Sequence, residues 1–216
     1  MLLTPAESDA VNAEVARAEA RTGVEIVAVV TLRSSHYPQI PWKAFALGAA
    51  LAGVAIVVQE FVRPDWPAGR AALFDAVTIL GAGATAALAT VIVPAFARLF
   101  LRRLRREFEV RRSAELLFHR HRVRATRRRT GVLLLVSLFE RRIEVVADDA
   151  FAGRVSAEDW RAAIDRMVPR IATEGAAAAL TEGIRAIAAL LEQKGFVADG
   201  TDGNELPDRP REERGP

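Results

Sequence analysis

Asp148 and Asp149 are the residues of this 216-residue chain best suited to holding a metal ion. Neighbouring carboxylates in a loop offer oxygen ligands to a hard cation such as Ca²⁺ or Mg²⁺, but a calcium site takes about six to eight oxygens. No acidic spacing of a calcium loop surrounds the pair, and an ordinary solvated loop is the plainer reading. Glu140, the other candidate acid near the sheet edge, lies at the far end of a strand-length segment, ~20 Å away if extended. His119 and His121 sit among arginines, whose charge disfavours a second dication site. Cysteine is absent, and no Ser/His/Asp arrangement or phosphate-cradling glycine loop is visible. Thiolate, zinc and ordinary nucleophilic chemistry therefore lack support, and no cofactor is expected.

The segments around these residues follow a helix and strand grammar. Thr4, Pro5 and Glu7 form a capping box ahead of Val11, Val15 and Ala18 at helical spacing, and Gly23 supplies the stop. Val24 to Leu32 is a β-branched run of strand length. Gly131 to Leu138 and Arg142 to Ala147 read as two more strands, joined by the short connection Phe139, Glu140, Arg141. Ser156 and Asp159 box a helix carrying Trp160, Ile164, Met167 and Val168. A last helix places Leu180, Ile184, Ile187 and Leu191 on one face, ending at Gly195. The segment from residue 197 to 216 has almost no apolar residue and is expected to be disordered.

Between the first strand and the second lie two long apolar stretches, about residues 42–62 and 73–97. Ala44 to Val58 and Ala76 to Ala97 carry no charge. Each stretch reaches the roughly 20 residues that cross a hydrocarbon core of ~30 Å. A chain of this length would hardly bury two such helices on all sides. Small residues (Gly48, Ala49, Ala52, Gly53 and Gly81, Gly83, Ala84, Thr85) allow the two helices to approach closely. Neither span holds a central ionisable group, so ion transport is not expected. The segment from Arg98 to Arg129 is crowded with arginine, opposed only by Glu107, Glu109 and Glu115. Such an excess stays cytoplasmic, which orients the hairpin. Arg98, Arg102, Arg103, Arg105 and Arg106 are expected at anionic lipid headgroups, and Trp42 and Trp66 at the two interfaces. Net charge is only +3, so the basicity is local, and no nucleic-acid partner is expected.

Arg129 to Ile143 (RTGVLLLVSLFERRI), Asp149 to Trp160 (DAFAGRVSAEDW) and the opening Leu3 to Val30 resemble the TPM domain family. Its bacterial membrane-embedded members place a helical hairpin after the first strand. The resemblance implies an α/β fold, a small central sheet flanked by helices, here interrupted by a two-helix transmembrane hairpin. The implied organisation is 1–40 and 131–196 as two parts of one cytoplasmic domain, 41–101 as the hairpin, 102–130 as an arginine-rich juxtamembrane helix, and 197–216 as a tail. It places the protein in a bacterial inner membrane with both ends cytoplasmic, beside a membrane-protein partner. Some family members are described as phosphatases or calcium binders, others as accessory factors of membrane complexes. This chain opens LLTPAESDA where many secreted members have Asp-x-x-Gly-x-Leu-Ser, has Phe139, Glu140 and Arg141 in place of an Asp-Asp-Arg turn, and Ala147 to Phe151 in place of Gly-x-Gly-Leu-Glu. With those positions changed, a non-catalytic interaction or assembly factor is expected; a divalent-metal-dependent phosphatase is the alternative.

Overall fold

Strands rich in Val and Leu on both faces need cover on both faces, and the computed structural model supplies it. It describes residues 2–62, 68–101, 103–198, 206 and 210–213. The chain divides into two units, residues 1–35 with 104–216, and residues 36–103.

In the first unit, helix α1 (Pro5–Thr22) starts at the expected box: the Thr4 amide donates to Glu7 Oε2 at 2.7 Å and the Glu7 amide to Thr4 Oγ1 at 3.3 Å. Gly23 ends it with φ 65°, a conformation that costs a side-chain-bearing residue about 1 kcal/mol or more. Strand β1 (Glu25–Thr31) then runs parallel to β2 (Gly131–Ser137), which pairs antiparallel with β3 (Arg142–Ala147). The order is β3-β2-β1-β4, and β4 is Arg211–Glu213, parallel to β1. Alternation divides the sheet. Ile26, Ala28, Val30, Val132, Leu134 and Val136 pack with α1, α6 (Ala157–Thr173) and α7 (Ala176–Gln193). Val27, Val29, Leu133 and Leu135 meet Val110, Ala114, Leu117 and Phe118 of α5 (Arg103–Arg120). Leu133, Leu134 and Leu135 are all fully buried, each stabilising by about 2 kcal/mol.

Two expectations change here. The arginine-rich segment is helical only to Arg120; Arg122 (φ 53°) turns the chain into a short 3-10 stretch, Val123–Ala125, so that β2 can start at Gly131. That helix also has an apolar stripe, at i, i+4, i+7 and i+8, which covers one face of the sheet. Nor is the segment 197–216 wholly without structure: Arg211–Glu213 is an edge strand. It lacks apolar residues because backbone pairing and charged contacts hold it.

Parallel neighbours require a long crossover, and that between β1 and β2 contains the second unit. There, α2 (Gln39–Val62) and α3 (Ala68–Ile92) form an antiparallel-reading hairpin in sequence and pack on each other. Both are long and apolar enough to cross a membrane. Leu51 is 62 % exposed and Val91 70 %, apolar surface of the kind a bilayer covers. Of the expected glycines, Gly48 and Gly83 lie at close contacts: a Cβ on Gly48 would meet Ala82 O at 2.7 Å, and one on Gly83 the Phe45 ring at 2.8 Å. Gly53 and Gly81 face open space. The second helix stops at Ile92, short of the expected 97. Pro94 cannot follow a residue in helical conformation without a clash, so Val93 is extended (φ −114°, ψ 96°) and α4 (Pro94–Leu99) begins anew.

Candidate functional site

Asp148 caps the 3-10 turn Asp149–Phe151, its carboxylate accepting from the Asp149 amide at 2.8 Å. Its side chain is only 1 % exposed, and Arg124 Nε and Arg129 Nη1 stand 3.5 and 3.9 Å from its Oδ1. Asp149 is open to solvent and held by Arg124 Nη2 at 2.8 Å, with Arg129 at 3.8 Å. The hydrogen bond from Arg124 keeps the Asp149 carboxyl below the usual carboxylate range. Two carboxylates thus face two guanidinium groups, and a cation would have to displace both. Asp148 Oδ2 has no hydrogen-bond partner among the described residues, but one oxygen is far from the about six to eight that a calcium ion takes. Among the described residues no three of His, Cys, Asp and Glu converge on a metal position. The pair instead pins the 122–131 loop to the end of β3, with Asp148 N–H donating to Gly131 O at 3.0 Å.

That role has a measurable consequence. Asp148→Ala removes the cap and the buried ion partner, and chemical denaturation should register a loss of at least about 1 kcal/mol. Asp149→Ala, whose carboxylate is exposed, should leave the midpoint nearly unchanged.

The more organised polar cluster lies at the carboxyl ends of the parallel pair β1 and β2, where α/β sheets place their sites. Glu140, 1 % exposed, receives the Ser34 amide on both oxygens at 3.1 and 3.3 Å and is hydrogen-bonded closely by Ser137 Oγ. Ser34 Oγ and Ser137 Oγ are 2.8 Å apart. The Leu138 and Phe139 amides donate to Thr31 O and Leu32 O, each at 3.0 Å, tying the β2–β3 turn to the end of β1. Beside this cluster opens a cleft of about 440 Å³. Thr31, Ser34 and Ser35 form one side, Glu109, Arg112, Ser113, Leu116, Leu117 and Arg120 of α5 another, and Glu213 closes the β4 side. Its lining mixes hydroxyls, both signs of charge and aliphatic carbon.

The other expected residues scatter. His119 is exposed against Phe118, whereas the His121 side chain is buried between Arg211 and Glu213, so the two do not share a ligand. Burial first, then the Arg211 charge, pushes the His121 imidazole below its ordinary range. Arg98 is on α4 and Arg103, Arg105 and Arg106 on the first turns of α5; Arg105 stands 3.7 Å from Glu109. Trp42 is 73 % exposed near the start of α2. Arg102 and Trp66 lie outside the described residues.

Sequence reasoning treated Glu140 as a hairpin residue and missed Ser34 and Ser137. Ser137-x-x-Glu140 repeats the spacing of the helix boxes at Thr4 and Ser156, and that was the available signal. Nothing local marks Ser34, which meets Glu140 across 106 positions of chain.

The sequence matches the TPM domain family over residues 67–190, which takes in the segments 129–143 and 149–160 that carry the resemblance. The opening helix and strand fall outside that span and are tied to the domain by the β1–β2 pairing. Among curated proteins none matches the chain. Among solved structures it is similar to the BA42 protein of the psychrophilic bacterium Bizionia argentinensis, with TM-score 0.59 and 15 % identity, over 99 % of this chain and 97 % of that one. That likeness is one of fold. With more than half its length matched, the chain belongs to the TPM domain family.

Proposed function

We propose that this TPM-domain protein is a membrane-anchored docking factor, non-catalytic, which holds a partner in a membrane or envelope complex at the carboxyl-end cleft. The observation that carries this reading is the pairing of Asp148 and Asp149 with Arg124 and Arg129, so that a metal ion at the acidic pair would have to displace two guanidinium groups. Among the described residues no metal-ligating cluster lines the cleft: Glu213 pairs with Arg120 at 3.3 Å and Glu109 with Arg105 at 3.7 Å.

The hairpin anchors the domain in a bacterial inner membrane, with β1 and β2 on the cytoplasmic side. Pairing of β1 with β2 supports a common side for the two strands, because a two-span insertion returns the chain to the side it left, and the arginine excess after the second span supports that side being the cytoplasmic one. Trp42 sits at one interface, and Arg98, Arg105 and Arg106 meet anionic headgroups, each contributing roughly 1 kcal/mol close to the surface. A reporter inserted at Pro67 is expected to be active in the exported form only, and one at the carboxyl end in the cytoplasmic form only.

Affinity isolation in mild detergent at native expression tests the docking role, with a defined membrane protein expected and recovery of the chain alone counting against it. Hydrolysis of a generic phosphate ester, with and without Mg²⁺ or Ca²⁺, tests the phosphatase alternative. No divalent-dependent rate is expected; a rate abolished by Asp148→Asn with Asp149→Asn would establish the enzyme instead.

A further inference from the structure

Strand β4 is unlike the other strands. It is three residues long, comes from a segment with few apolar side chains, and adds to the open edge of β1 in parallel, with Val29, Val30 and Thr31 opposite Arg211, Glu212 and Glu213. The Leu32 amide donates to Glu213 O at 3.3 Å. Each side chain of this short strand is held, Arg211 and Glu213 sharing His121. Glu212 accepts the Leu2 and Leu3 backbone amides, one on each oxygen, both at 2.9 Å. Glu213 meets Arg120 at 3.3 Å and His121 at 3.5 Å. Arg211 reaches His121 Nδ1 at 3.0 Å. The contact is therefore built from backbone pairing and charge recognition, the way an added peptide strand is held on a sheet edge.

We infer that the β1 edge is a recognition groove for an acidic extended segment of a partner protein, occupied in this structure by the chain's own residues 211–213. This deepens the docking function proposed above and rests on it. Charge complementarity selects the occupant: two consecutive carboxylates fit the paired amides of Leu2 and Leu3 on one side and the Arg120–His121 pair on the other. A partner strand with Glu-Glu or Asp-Glu at these positions would take the same bonds. Glu213 and Arg120 also line the carboxyl-end cleft, so exchange of the strand changes that cleft and delivers the partner to it. A short edge strand with little apolar area suits such exchange, because few of its contacts exclude water.

The test uses the full chain in detergent, with a specific protease site inserted between residues 199 and 205. After cleavage, a fluorescent peptide of residues 206–216 is added and its anisotropy followed. The peptide should replace the severed segment, and the same peptide carrying Glu212→Ala and Glu213→Ala should compete at least about tenfold more weakly, having lost charge-assisted bonds at two positions. In the uncut chain the same two substitutions should speed amide exchange at Val29 to Leu32. Absence of peptide exchange, or equal competition by the two peptides, would overturn the inference while leaving the docking role to the affinity isolation. If differently tagged uncut chains trade segments and co-purify as dimers, the occupant is a second copy, and the partner assignment fails.

Discussion

Replacing Gly131 by alanine is expected to cost the first unit about 3 kcal/mol, lowering its thermal midpoint by roughly 10 °C. A Cβ at this position would lie 2.2 Å from Val123 O and 2.6 Å from Val123 Cγ1, and the first of these is backbone that no rotamer change can move. Val123 is fully buried, in the 3-10 turn between Arg122 and Thr126. Relief would have to shift the whole 122–131 loop, which Arg124 and Arg129 hold to Asp148 and Asp149, or displace the first residue of β2 from its pairing with Glu25. The comparison that isolates the close approach is Gly153→Ala. There φ is +77° but nothing lies within 4 Å of the new Cβ, so only the conformational cost of about 1 kcal/mol is expected. Thermal denaturation of the two variants in one detergent checks the ranking. Equal losses would mean that the loop yields to Gly131→Ala without strain.

The second large effect is at Glu140. Glu140→Ala takes the acceptor from the buried Ser34 amide and from Ser137 Oγ, and leaves a space under the β2–β3 turn. Unsatisfied buried donors and a cavity together predict about 3 kcal/mol. Glu140→Gln keeps one acceptor oxygen and nearly the same volume, and should lose about 1 kcal/mol. Because Ser34 lies just past the end of β1 and Ser137 ends β2, the alanine variant should also raise amide exchange at Leu138 and Phe139, whose bonds to Thr31 and Leu32 depend on that junction. If the two variants lose the same stability, the carboxylate's hydrogen bonds are not what holds the junction.

Much of the fold was legible because its signals are local. The boxes at Thr4 and Ser156 were read from four-residue spacing and are both made, and the strands appear where apolar runs of strand length occur. The hairpin followed from length and missing charge. Three features needed more than local pattern. Strand β4 is held by amides and ion pairs rather than by apolar burial, so a composition that reads as disorder conceals it. The stripe Val110, Ala114, Leu117 and Phe118 was readable at helical spacing, but the arginines between its members drew attention to lipid and away from the sheet that the stripe covers. The Ser34–Ser137–Glu140 cluster joins residues on either side of the membrane hairpin, a proximity that only the β1–β2 pairing creates. The acidic pair, by contrast, has a structural use: Asp148 caps a turn, and both carboxylates pair with Arg124 and Arg129.

Docking at the carboxyl-end cleft is the claim on which the functional account turns. Its most direct measurement is photo-crosslinking in intact membranes from a photoreactive residue replacing Arg112 in the cleft wall, with the same residue at exposed Arg161 on α6 as the control. The account predicts one discrete adduct with a membrane protein from position 112 and none of that mass from 161. No adduct from 112, or the same adducts from both positions, would contradict it.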